Sequence, residues 1–206
     1  MGSDKRALVL IDKGMKNVYL LVYIIMFVGC TSSSDNVVKP NLLVIMADSL
    51  SYIDIGVYGQ ESVSATPNID RLAQEGVCFT NGYSISSNSA SGQYALMTGR
   101  CPWKETGGEE MITLPEMMKK VGYKTAAIGT WHSKVEQIPG ETARRMGFGY
   151  SGSEADIGLS DYSIYEAVDF ISRQKKEPFF LYYGLGGETV SSIHEEIDKY
   201  IGKLLS

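Results

Sequence analysis

Apolar positions along the chain fall into two rhythms. Leu42 to Ala47 is an unbroken apolar run behind Pro40, and Phe179 to Leu185 repeats the pattern behind Pro178. Such runs mark strands of a parallel sheet covered on both faces. Thr125 to Ile128 is a shorter strand of the same kind, and Val77 to Thr80 is a further short strand on this reading. Between them the spacing is helical. Ile69, Leu72 and Ala73 form a stripe behind Thr66-Pro67, an N-cap and a first-turn proline, and Gly76 closes that helix. Thr113 and Pro115 open a second helix that runs through Met118 and stops at Gly122. Ile164, Val168 and Ile171 share one face of a helix from about Asp161 to Gln174. Ile193, Ile197, Tyr200, Ile201 and Leu204 give the chain a last amphipathic helix. Alternating strands and helices predict an α/β fold, a mostly parallel sheet flanked by helices on both faces.

The first apolar run is of another kind. Lys13 and Lys16 precede Val18 to Val28, which is too short to cross a bilayer comfortably, so residues 1–29 have the form of a signal peptide. Met15-Lys16 is itself a typical signal start, which leaves residues 1–14 as a misassigned start or an added leader. The run ends in Phe27-Val28-Gly29-Cys30, which resembles the lipobox of bacterial lipoproteins, where the cysteine is acylated and becomes the first residue. A short membrane anchor or an ordinary secretory signal is the alternative. On the lipobox reading residues 30–39 are a polar tether, residues 40–206 are the folded domain, and the protein is lipid-anchored through Cys30 in a bacterial cell envelope.

Composition narrows the partners. The 206 residues are 44% hydrophobic and 21% charged, which excludes a disordered, collagenous or multi-span membrane chain. A net charge of -5 leaves no footprint for nucleic acid, and any anionic substrate needs a local basic pocket. Three cysteines make neither a disulfide framework nor a metal-type spacing. Cys78, between Val77 and Phe79, reads as a small core residue.

Asp48 ends the first strand, and ligands of open α/β sheets sit outside the carboxyl ends of strands, so Asp48 is a site candidate on position alone. Around it runs an ordered set of blocks. Ala47-Asp48-Ser49-Leu50 is followed by Val57-Tyr58-Gly59 and by Thr66-Pro67-Asn68-Ile69-Asp70-Arg71-Leu72-Ala73. Glu75 to Tyr83, Thr98-Gly99-Arg100, Gly122 to Thr125, Gly129-Thr130-Trp131-His132 and Pro178 to Tyr182 come next. In this order the blocks resemble the N-terminal part of the type I sulfatases, members of the alkaline-phosphatase-like α/β superfamily.

The resemblance implies hydrolysis of sulfate esters, of glycans above all, with Ca2+ and a formylglycine made from cysteine or serine by oxidation. The hydrated formylglycine supplies the oxygen that attacks sulfur. Counting back from Arg100 places the nucleophile at Ser89, at the start of the helix containing Tyr94 to Met97, where free N–H groups suit an oxyanion. Asp48 takes the place of a metal ligand and His132 that of a site histidine. Each has a plainer reading: Ser89 as an N-cap in the serine-rich stretch Ser84 to Ser91, Asp48 as a turn former, His132 as a satisfied histidine beside Trp131. The sequence also departs from the family pattern. Ser91 and Gln93 replace the proline or alanine and the arginine of the nucleophile motif, Ser49 replaces the second aspartate, Thr130 the sulfate-binding lysine, and Glu188-Thr189 the Pro-His after the last strand. The resemblance further places the second metal-binding strand beyond Ser206, so the domain is expected to be truncated before it.

The anchor reading makes one prediction. Cys30 is diacylated or triacylated and holds the protein on membranes, and Cys30→Ser releases it or leaves it unprocessed. Membrane fractionation with metabolic labelling by a fatty-acid analogue checks this, and a variant that partitions like its parent rejects it.

Overall fold

Seven consecutive buried residues, Phe179–Leu185, form strand β4, and the architecture follows from covering them on every side. The computed structural model describes residues 38–48, 50–58, 66–104, 111–131, 141–152, 161–186 and 193–206, within the compact unit Pro40–Ser206. Signal, lipidation and tether assignments fall on residues 1–37, outside the described residues. Strands β1 (Leu42–Ala47), β2 (Lys124–Gly129), β3 (Tyr150–Ser151) and β4 make one sheet in the order β1-β4-β2-β3 with every pairing parallel. Helices α1 (Pro67–Glu75), α2 (Ser89–Thr98), α3 (Leu114–Lys120), α4 (Glu141–Arg145), α5 (Asp161–Arg173) and α6 (Ile193–Leu205) connect and cover them. Two single 3-10 turns, Tyr52–Asp54 and Gly56–Tyr58, lead from β1 toward α1.

Alternation along β4 divides the core. Phe179, Leu181, Tyr183 and Leu185 join Ile164, Ala167 and Phe170 of α5 and Ile197, Tyr200 and Ile201 of α6 on one face. Phe180 and Tyr182 point to the other face, where they meet Met97 of α2, Ala143 of α4 and Phe148. Each large apolar side chain buried in this way stabilises the fold by about 1.5–3 kcal/mol. The predicted parallel α/β layering is therefore what the chain adopts.

Four local readings need correction. Leu42–Ala47 forms a strand with Leu43, Ile45 and Ala47 packed on one core cluster and Leu42, Val44 and Met46 on the other, but it lies at the sheet edge among the described residues and is half-buried, not fully buried. Val77 to Thr80 is not a strand. Among the described residues it finds no partner in the sheet, and Val77 and Phe79 stand 78% and 75% exposed. Cys78 is consequently exposed and not a core residue, and both Cys78 and Cys101 are free thiols. Thr66 precedes α1 but does not cap it with its side chain: its hydroxyl accepts from the Gly56 N–H at 3.0 Å and donates to Asp70 at 3.3 Å. Sequence reading also passes over β3 and α4, which are too short to carry a periodic signal.

The cap of α1 comes instead from the far end of the chain. Asp198 of α6 is only 3% exposed, and its Oδ1 accepts from the backbone N–H groups of Asn68 and Ile69, both at 2.9 Å. Its Oδ2 accepts from the Asn68 side-chain amide at 2.8 Å. One carboxylate thus satisfies two free N–H groups of a helix start and favours the positive end of its dipole. Gly202 makes room for this contact, since a Cβ there would lie 2.7 Å from Asn68 Nδ2.

Replacing Asp198 by alanine strands those donors in a buried position. The expected loss is about 2–3 kcal/mol of unfolding free energy by urea denaturation. A loss below about 0.5 kcal/mol would mean that water replaces the carboxylate at no cost.

Candidate active site

Parallel pairing brings three strand ends to one edge of the sheet. β1 runs out into Asp48, β2 into Thr130-Trp131 and β4 into Gly186. The Asp48 N–H donates to Leu185 O at 2.7 Å and the Thr130 N–H to Gly184 O at 2.9 Å, so hydrogen bonding continues past the strands and fixes where each side chain emerges. Glycine is required at this seam. Gly129 has φ +82°, and a Cβ on it would stand 2.1 Å from Gly184 O; a Cβ on Gly184 would stand 2.0 Å from Thr130 O. The backbones of β2 and β4 approach too closely at their exits for any other residue.

Helix α2 starts against this edge. Its cap is Asn88, whose side chain accepts from the Ser91 N–H at 3.1 Å, and Gly99 ends it in the left-handed conformation at φ 66°. Ser89 is the first helical residue and not the N-cap, so the plain capping reading of Ser89 is wrong. With the cap supplied by its neighbour, the Ser89 hydroxyl turns to Asp48 and donates toward both carboxylate oxygens at 3.3 Å. Two of the three sequence-derived site residues, Asp48 and Ser89, therefore meet. The third, His132, lies outside the described residues, as do Ser49 and Glu188-Thr189.

One turn further along α2, Gln93 is 2% exposed and faces the sheet. Its amide donates to the Tyr182 hydroxyl at 2.6 Å, and that hydroxyl lies 3.2 Å from Met46 Sδ. Gln93 is thus committed to joining α2 to β4. Trp131 closes over the same ring, edge-on to Tyr182 at 5.2 Å and to Phe148 at 5.7 Å between centroids. Burial pushes the Tyr182 hydroxyl up to about 12; the Gln93 hydrogen bond pulls against that, and the nearby Asp48 charge adds to it. Tyr182 is therefore neutral throughout the physiological range.

Thr130 stands where the resemblance places a sulfate-binding lysine. Its hydroxyl is buried without a hydrogen-bond partner among the described residues, and a Cβ on Gly186 would lie 2.7 Å from it. Among the described residues, moreover, no three His, Cys, Asp or Glu side chains gather where a metal could sit. Ca2+ takes six to eight oxygens, as a rule with several carboxylates. Asp48 with the Ser89 hydroxyl falls short of that shell, so the described residues do not by themselves fit the Ca2+ that the resemblance implies.

Sequence reasoning missed Asn88, Gln93 as a buried pin, and Tyr182. Asn88 was legible, since asparagine is as good an N-cap as serine and stands one residue earlier. The pairing of Gln93 with Tyr182 spans 89 residues and leaves no local signal.

Known proteins resemble the chain in sequence and in fold. Residues 40–188 match the Sulfatase family. An N-acetylgalactosamine-6-O-sulfatase of Bacteroides thetaiotaomicron is 39% identical over 139 residues, which cover 57% of this chain and 27% of the relative. Human N-acetylgalactosamine-6-sulfatase is 28% identical over 205 residues, covering 71% of this chain and 39% of the relative. A solved 6S-sulfatase structure from the glycosaminoglycan-metabolising locus of Bacteroides thetaiotaomicron shares the fold, with a TM-score of 0.69 at 23% identity over 81% of this chain and 58% of that one. The chain spans well under half the length of these two curated relatives. With a family match over most of its length, the expected parallel sheet, and Asp48 and Ser89 joined at the sheet edge, the chain belongs to the sulfatase family.

Proposed function

We propose that the chain carries the central part of a sulfate-ester site for sulfated hexosamine glycans, held at a bacterial envelope through lipid on Cys30, and that by itself it does not turn the ester over. The observation that carries this reading is the division of labour along α2. Ser89 places its oxygen on Asp48, whereas Gln93, at the position of the family's arginine, is spent in the core on Tyr182. N-acetylgalactosamine-6-sulfatases among the relatives support the substrate class.

Cleaving a sulfate ester requires preorganised positive charge or donors where negative charge develops, and removing one such group costs about 3 kcal/mol, a hundredfold or more in rate. Here the motif arginine is Gln93, the lysine position is Thr130 and the second aspartate is Ser49. Among the described residues, Asp48 sets a carboxylate beside the Ser89 hydroxyl. The losses act on one charge centre and need not add, but no single reversion repairs them. A second reading, a live hydrolase with Ser89 as the formylglycine precursor, is favoured by the freedom of the Ser89 hydroxyl from capping. Formylglycine and Ca2+ belong to that reading.

The two readings part at Ser89. In cells that also express a serine-type maturase, the tryptic peptide containing Ser89 is expected to keep its unmodified mass, because Ser91 and Gln93 break the motif that the maturase reads. A chromogenic aryl sulfate and sulfated glycan fragments should then turn over no faster with the parent than with Ser89→Ala. Loss of two hydrogens at Ser89 together with Ser89-dependent turnover would overturn the proposal in favour of the hydrolase.

A further inference from the structure

At the end of the sheet opposite Asp48 and Ser89, a cleft of about 670 Å³ opens between the start of β2, strand β3 and the outer face of α5. Its volume lies within the range of small-molecule sites, about 300–1,000 Å³. β2 enters the sheet here at Lys124 and leaves it at Gly129, five residues on, so the cleft and the site at the far edge are separated by about 17 Å of strand.

The lining is neither apolar nor of one charge. Tyr150 stacks on Phe170, with ring centroids 6.1 Å apart and planes 21° from parallel, yet remains 42% exposed, so part of its ring is left to the cleft. Around it the charged groups other than Lys119 are paired. The Tyr150 hydroxyl donates to Glu166, Arg173 makes a two-point pair with Asp169 at 3.0 and 2.7 Å, and Lys124 meets Glu177 at 3.5 Å. Lys119 also borders the cleft. These groups hold one another in place and offer fixed acceptors and donors side by side beside an aromatic surface.

Such a lining selects by chemistry. Three cations, Lys119, Lys124 and Arg173, share the lining with three carboxylates, Glu166, Asp169 and Glu177, so a simple anion meets no net positive charge. An aliphatic ligand would take these ion pairs out of water and offer them no hydrogen bond in exchange, which costs more than it returns. A ligand whose groups each both donate and accept, and which has an apolar face for a ring, satisfies all of them. Sugar hydroxyls and the C–H face of a pyranose meet that description. We propose that this cleft is a second, saccharide-binding site that takes an uncharged hexose or N-acetylhexosamine ring. It holds a glycan at the end of the sheet remote from Asp48 and Ser89, and it does not depend on activity at that pair.

The test uses the full chain and N-acetylgalactosamine and galactose as probes, with sodium sulfate as a third arm, each titrated into isotope-labelled protein and followed by amide shifts. The expected result is saturable shifts at Tyr150, Arg173 and Gln174 with either sugar, at a dissociation constant of the order of millimolar. Tyr150→Ala should weaken this at least about fivefold and Arg173→Ala at least about threefold, by loss of stacking and of the paired donors. Arg173 lies on the surface, so its variant serves where Tyr150→Ala does not fold. Absence of saturable shifts up to about 50 mM sugar would overturn the proposal. So would binding that survives both substitutions, or sulfate binding at these residues more tightly than the sugars.

Discussion

The parallel pairing of β4 with β1 on one side and β2 on the other is the constraint on which the other features rest. Leu42 sits opposite Phe180 and Ala47 opposite Leu185, while Lys124 sits opposite Phe179 and Gly129 opposite Gly184. In that register all three strands end at one edge, and the chain must leave each strand there. A shift by one residue would exchange the two faces of β4 and carry Tyr182 away from Gln93. The glycines at 129 and 184 enforce the register from the other direction, because no other residue fits where the strands approach. Asp198 then ties α6 to α1 across 130 residues.

Position at the strand ends decides which chemistry is available. Asp48 and Ser89 meet because a strand terminus and a helix start are brought to one point, a geometry that suits an oxyanion only if positive charge accompanies it. The described residues supply helix N–H groups and a hydroxyl there, but the carboxylate brings a negative charge. Around it, residues that would be cationic on the family pattern are an amide turned into the core and a threonine packed against Gly186. The same fold that brings the Ser89 hydroxyl to the strand end therefore sets a carboxylate directly beside it.

Much of this was legible in sequence because it is local. The unbroken apolar run of β4 and the helices α1, α3, α5 and α6 follow from period and propensity, and all are present, although Leu72 of the α1 stripe and Val168 of the α5 stripe stand 39% and 40% exposed. Ser89 and Asp48 were reachable through motif order, and their contact needed the fold. Errors arose where a tertiary partner decides the outcome. Val77 to Thr80 has strand composition but no neighbour to pair with, Leu42 to Ala47 has a core composition but an edge place, and Thr66 has a capping side chain that is used elsewhere. Gln93 illustrates the same limit at the site: its burial depends on Tyr182, which no pattern near Gln93 announces.

The central claim is that charge at the Asp48–Ser89 pair, and not the shape of the pocket, sets what this site accepts. Calorimetric titration of sodium sulfate into the full chain in metal-free buffer, comparing the parent with Asp48→Asn, tests it most directly. Removing one charge a few ångströms from a partly buried anion is worth at least about 1.4 kcal/mol, so the variant should bind sulfate about tenfold or more tightly than the parent. Sulfate binding by the metal-free parent as tight as that of Asp48→Asn would contradict the account.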